Sequence, residues 1–161
     1  PFVRDKDAIQ SLVLLAEVAA YYRKQGKNLY DGLQELFEKY GYFAEKTTAL
    51  TFDGVEGAQQ IKNLMAKLRD EAPAEFAGVK VVCAEDFATG KKSFADGKEE
   101  KMNLPSSNVL KYILEDGTWI AVRPSGTEPK IKFYIGTQGD SVENSKANVA
   151  KFEEAIQAYV D

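Results

Sequence analysis

The segment Arg123-Pro124-Ser125-Gly126-Thr127-Glu128-Pro129-Lys130 concentrates groups that can hold an anion. It brings together a guanidinium, two hydroxyls, a glycine backbone that a ligand can approach closely, and an ammonium group. Arginine offers a planar, two-pronged donor, serine and threonine add neutral donors, and lysine adds a point charge. Gly126 allows a turn whose N–H groups converge on an anion, and the two prolines stiffen that turn. The set suits a phosphate dianion. The Gly-x-x-x-x-Gly-Lys spacing of a P-loop is absent. The plain alternative is a tight hairpin carrying one exposed arginine. Apolar strands flank the segment on both sides, Trp119 to Val122 and Ile131 to Ile135. Alternation along the second puts Ile131, Phe133 and Ile135 on a core face and Lys130, Lys132 and Tyr134 on the other.

Other chemistry is sparse. The 161 residues contain no histidine and a single cysteine. Ser-His and Cys-His nucleophile pairs, histidine metal sites and an internal disulfide are therefore excluded within this chain. Cys83 lies in an apolar run and reads as a small buried hydrophobe. Asp5 and Asp7 alternate as metal ligands can, but are better read as helix-start or ion-pair residues. With 21 Lys+Arg against 25 Asp+Glu the net charge is −4, which speaks against phosphate-driven nucleic-acid binding. No apolar run reaches the ~18 residues a membrane span needs. The chain begins at Pro1 without a methionine or signal peptide, as expected of a processed chain or a piece of a longer one.

The elements that must position the loop follow from periodicity. From Ala8 to Tyr22 only Gln10, Ser11 and Glu17 interrupt apolar character, so a helix from Ala8 to Gln25 is apolar nearly all round and calls for partners on every side. Gly26 ends it. A second helix spans Asn28 to Tyr40 and stops at Gly41. Ala44 to Phe52 reads as a strand, followed by an Asp53-Gly54 turn. Ala58, Ile61, Leu64, Met65 and Leu68 recur at helical spacing. Pro73 and Gly78 bracket a loop before a strand from Val79 to Cys83. Ala88 to Met102, polar and charged, reads as a mobile loop with solvated charges. Strands follow at Asn108 to Leu114, Thr118 to Val122 and Lys130 to Thr137, the first two joined by an Asp116-Gly117 hairpin turn. A last helix covers Ser141 to Val160, with Asp140 and Glu143 at capping-box spacing and Val142, Val149, Phe152, Ile156 and Tyr159 as its stripe. The fold class expected is α+β: a mainly antiparallel sheet with helices on one face, preceded by two helices.

The R-P-S-G-T-E-P segment between two apolar strands resembles the phosphate-binding loop of the α-D-phosphohexomutases, a family that includes phosphoglucomutases and phosphomannomutases. The resemblance runs from Tyr42 to the C-terminus, which is similar to the family's fourth domain, a small unit with a TBP-like sheet. Arg4-Asp5-Lys6-Asp7, followed by an apolar helix, resembles the R-E-K-D-G segment near the end of the third domain, with Ala8 in place of the glycine. The resemblance implies two regions: residues 1–41 as the helical tail of domain three, and 42–161 as the carboxy-terminal phosphate-binding domain.

It also implies roles. Arg123, Ser125, Gly126 and Thr127 correspond to contacts with the non-reacting phosphate of the sugar. Lys132 stands where some members place an arginine near that phosphate. Lys6 matches a lysine that touches substrate in glucose-type members, favouring a phosphoglucomutase over a phosphomannomutase. The family's phosphoserine, its Asp-rich Mg²⁺ loop and its sugar-recognition loop have no counterpart in this sequence. Catalytic residues are therefore expected elsewhere in the polypeptide, with Mg²⁺ and a hexose 1,6-bisphosphate activator serving the whole enzyme and nothing here holding a metal. The implied setting is cytoplasmic, the partners are a sugar phosphate and the upstream domains, and a fragment could self-associate through the Ala8–Tyr22 helix. A non-catalytic phospho-ligand-binding module is the rival reading.

Overall fold

The computed structural model describes residues 5–52, 54 and 56–160, with side chains through 158. Arg4, Asp53 and the side chain of Tyr159 lie outside the described residues. The chain divides into two compact units, Pro1–Gly41 and Tyr42–Asp161.

The first unit holds α1 (Ala8–Lys24) and α2 (Leu29–Tyr40). Asp7 starts α1: its carboxylate accepts from the Gln10 N–H at 2.9 Å, satisfying one of the free donors of the first turn. Asn28 and Asp31 form a reciprocal capping box at the start of α2. The two helices meet where the Tyr22 ring lies against Gly32; a β-carbon there would stand 2.3 Å from the ring. No α1 residue is buried, and Ile9, Leu12, Leu14 and Tyr21 are all more than half exposed. No helix among the described residues is long and apolar enough to cross a membrane.

The second unit is one antiparallel sheet with two helices. Its elements are β1 (Tyr42–Thr51), α3 (Gly57–Asp70), β2 (Glu75–Phe76), β3 (Val79–Asp86), β4 (Lys91–Phe94), β5 (Glu99–Lys101), β6 (Leu110–Leu114), β7 (Trp119–Pro124), β8 (Lys130–Gly139) and α4 (Val142–Val160). The strand order is β1-β8-β7-β6-β3-β4-β5, with β2 paired to β3. Burial alternates as the pleat demands. Leu110, Tyr112 and Leu114, then Ile120 and Val122, then Ile131, Phe133 and Ile135 turn to one face. There they pack with Ile61, Met65 and Leu68 of α3 and Phe152 and Ile156 of α4. Both helices thus cover the same side, and the expected α+β class with helices on one face is the observed one.

Four local expectations are corrected. Ala88–Met102 is not a mobile loop: it contains the β4–β5 hairpin, whose ladder pairs Lys91 with Lys101 and Ser93 with Glu99. Its charges pair with each other, Lys91 with Glu99 and Lys98 with Glu100, so a polar sequence still forms strands through its main chain. Pro73 to Gly78 encloses the short strand β2. The turn that follows has φ of 51° at Ala77 and 77° at Gly78, the double left-handed geometry of a tight hairpin, at an alanine that gives no sequence signal for it. β3 continues to Asp86 rather than ending at Cys83. The cap of α4 is shifted by one residue from the Asp140/Glu143 pair: Ser141 Oγ accepts from the Asn144 N–H at 3.1 Å and Asn144 Oδ1 accepts from the Asp140 N–H at 3.3 Å. Serine and asparagine side chains are short enough to reach these donors, which leaves Glu143 free to face water.

Candidate phosphate-binding site

The loop is the turn of the β7–β8 hairpin, and its main chain closes tightly. The Ser125 N–H donates to the Lys130 carbonyl at 2.7 Å, and the Lys130 N–H to the Glu128 carbonyl at 2.7 Å. Pro129 anchors the loop from outside, its carbonyl accepting from the Phe52 N–H at 3.0 Å just after β1. Ser125 also organises the tip. Its Oγ accepts from the N–H groups of Thr127 and Glu128 at 3.4 and 3.3 Å. These are long bonds for an N–H donor, near the weak end of the range. An anion with stronger acceptor oxygens can displace such a cap.

Strand register fixes the charged groups. Arg123 lies directly opposite Lys132 in the β7–β8 ladder. Their exposed side chains stand on the face away from the core, because Val122 and Phe133 beside them are buried. Neither cation forms an ion pair among the described residues, whereas Lys130 pairs with the Glu128 carboxylate at 3.2 Å. Two like charges side by side on one sheet face repel and favour an anion between them.

A cleft of 430 Å³ opens on the other flank of the loop. Ser125, Gly126, Thr127 and Glu128 form one wall, and Ala58, Ile61, Lys62 and Met65 of α3 form the facing wall. The structure therefore gathers Ser125, Gly126 and Thr127 in one wall and pairs Arg123 with Lys132 on the reverse face. Arg123 and Lys132 do not line the cleft. Lys6 belongs to the first unit, where its ammonium stands 3.7 Å from Asp5 in a fully solvated pair. The α3 wall and Asn108, which also lines the cleft, went unnoticed in the sequence. Positions 58, 61, 62 and 65 share one helix face by spacing, but nothing local says what that face meets.

Among the described residues no cluster of three or more His, Cys, Asp or Glu could hold a metal. Cys83 is buried, and burial pushes its thiol up from the usual range, so it is inert at neutral pH. A larger hollow of 720 Å³ between Ala19, Arg23 and Tyr30 in the first unit carries none of the loop residues.

The family model described as phosphoglucomutase/phosphomannomutase, C-terminal domain, matches residues 58–154 and so includes all but the first residue of α3, the loop and most of α4. The chain belongs to that family. A phosphoglucomutase of Staphylococcus haemolyticus is 41% identical over 94% of this chain. One from Staphylococcus epidermidis is 44% identical over 87%, and one from Staphylococcus saprophyticus 37% identical over 89%. The chain spans 28%, 26% and 26% of the length of these relatives. In the terms of this phosphohexomutase family, β7, the loop and β8 are parts of a C-terminal domain.

Proposed function

We propose that this chain grips the non-reacting phosphate of a hexose phosphate within a phosphohexomutase that interconverts hexose 1-phosphate and hexose 6-phosphate, with glucose as the hexose. The observation that carries the reading is the Arg123-Pro124-Ser125-Gly126-Thr127 hairpin with Lys132 directly across from Arg123. The phosphoglucomutase names of the relatives and the match of Lys6 to glucose-type members support the choice of sugar. On this reading residues 1–41 are the end of the preceding domain, and the protein works in the cytoplasm.

The division of labour follows from the residues present. Phosphoryl transfer needs positioning and neutralisation of charge more than covalent help from the protein. Arg123 and Lys132 neutralise a phosphate that does not react, while Gly126, Thr127 and the Ser125 hydroxyl fix its orientation. The opposite end of the sugar is then presented to a phosphoryl donor elsewhere in the polypeptide. When the sugar turns over between half-reactions, the same grip serves whichever phosphate is idle. Mg²⁺ would neutralise charge at the reacting end when bound; the carboxylates described here are not grouped to hold it, and no step of this grip passes through it.

The test uses the full-length enzyme. Arg123→Ala should lower kcat/KM about 10- to 100-fold, the loss of about 1.5–3 kcal/mol for a charge-assisted contact. Ser125→Ala should cost about 2- to 10-fold, as expected for a neutral hydroxyl. The chain by itself should show no conversion of glucose 1-phosphate. A folded Arg123→Ala enzyme with wild-type kcat/KM reduces the loop to a turn, and turnover by the chain alone contradicts the division of labour.

A further inference from the structure

The cleft beside the loop holds a positive charge with no partner among the described residues. Lys62 stands on the α3 wall facing Ser125, Gly126 and Thr127. It is exposed, and among the described residues it makes no hydrogen bond or ion pair. Its neighbours explain its placement: Ile61 and Met65 are buried in the core and fix the helix rotation, which leaves Lys62 at the rim. Among the described residues that line the cleft the one carboxylate is Glu128, and Lys130 already engages it at 3.2 Å. Asn108 is held by the Arg69 guanidinium through Oδ1 at 3.1 Å, leaving its amide N–H groups without a partner among the described residues. Ile61, Met65, Pro124 and Pro129 add apolar surface to the lining, and a charge contact beside apolar surface is less screened than one in open water.

Arg123 and Lys132 stand on the other face of the hairpin, so they reach an anion at the loop tip from one side only. We propose that Lys62 is a phosphoryl-binding residue that reaches the same anion from the helix side, giving the loop a cation on each flank. A lysine suits this place: its flexible stem lets a point charge follow the phosphate without the fixed geometry of an arginine fork. The inference rests on the phosphate reading of the loop and adds a residue to it, carried by a helix some sixty residues earlier in the chain.

The experiment titrates the ¹⁵N-labelled chain with inorganic phosphate and follows the Gly126 and Thr127 amides. Lys62→Gln should weaken the phosphate dissociation constant about two- to fivefold, the size of a solvent-exposed charge contact, and Lys62→Arg should restore most of it. Lys151→Gln on α4 removes the same charge far from the loop and should leave binding unchanged. If Lys62→Gln binds like wild type while Arg123→Gln binds more weakly, Lys62 plays no part and the loop assignment stands. An equal loss in Lys151→Gln means net charge alone is responsible and overturns the proposal. If phosphate moves neither amide in the wild-type chain, the loop assignment itself fails, and Lys62 with it.

Discussion

Trp119 and Gly136 offer a stringent check on the open face of the sheet. They are direct partners in the β7–β8 ladder, and the indole lies so close over the glycine that a β-carbon would stand 2.3 Å from Cε2 and Nε1. Gly136 is hydrogen-bonded between β1 and β8's other neighbour β7 and is buried, so its backbone cannot retreat. Its φ is not left-handed, so alanine is conformationally acceptable there. Gly136→Ala must therefore push the indole off the strand. The ring then loses its stack and its contact with the Lys111 ammonium, 5.6 Å from the ring centre. Re-exposing about 60–100 Å² of a tryptophan costs about 1.5–2.5 kcal/mol. Replacing a strand glycine returns about 0.5–1 kcal/mol. The net loss is about 0.5–2 kcal/mol, or roughly 2–8 °C in Tm for a domain of this size. Trp119 is the only tryptophan, so fluorescence reports this ring alone, and its emission should move to the red. In a Trp119→Leu background the same glycine substitution should be neutral or slightly stabilising. An unchanged emission maximum with unchanged Tm, or an equal penalty in the Trp119→Leu background, would show that the ring does not rest on Gly136.

Two further outcomes concern stability. The buried Tyr112 hydroxyl donates to the Leu68 carbonyl at 2.8 Å, one of the carbonyls that the end of α3 leaves without a helical partner; Tyr112→Phe should cost about 1–2 kcal/mol, read as a lower urea midpoint, and a change within error would mean that water satisfies that carbonyl. At Asp86, burial alone would push the carboxyl up, but the Thr89 hydroxyl, the Arg69 guanidinium and the Ala88 N–H outweigh it and hold the group below its ordinary value of 3.8. A carboxyl depressed in the fold stabilises fully above that ordinary value and loses its contribution as pH falls through the depressed one. Asp86→Asn should thus be less stable than wild type at pH 7, and the gap should close below about pH 4; a gap that stays constant from pH 7 to pH 3 would refute the assignment.

The sheet's centre was legible because its strands are amphipathic. Alternation at Leu110/Tyr112/Leu114 and Ile131/Phe133/Ile135 reports which side is buried before any partner is known. The β4–β5 hairpin was not, because Lys91–Phe94 and Glu99–Lys101 lie at a sheet edge and bury little; main-chain pairing and charge pairs make them strands, and neither leaves a hydrophobic period. α1 reads as a buried helix and is exposed in this chain, since apolar girth states a need for partners without supplying them. At the site, the loop and the shared face of Arg123 and Lys132 follow from local sequence and strand alternation. The cleft does not, because it exists only where α3 lies beside the loop that leads into β8. Ser125 was expected as a ligand contact and is also an internal cap, a second role that residue type alone cannot reveal.

The pairing of β1 with β8 has a consequence for how the domain comes into being. Partners such as Tyr42 and Gly139, or Thr51 and Lys130, lie about 80 to 100 residues apart in the chain, and closing a loop of that length carries an entropy cost that local contacts do not offset. On the ribosome β1 emerges early and waits, unpaired, until nearly the whole domain has been made. The anchor of the loop waits with it, because the Phe52-to-Pro129 hydrogen bond joins the same two ends. Release of a chain before β8 leaves a ten-residue edge strand open to other chains, so nascent products ending near Leu114 should aggregate where the complete domain stays dispersed.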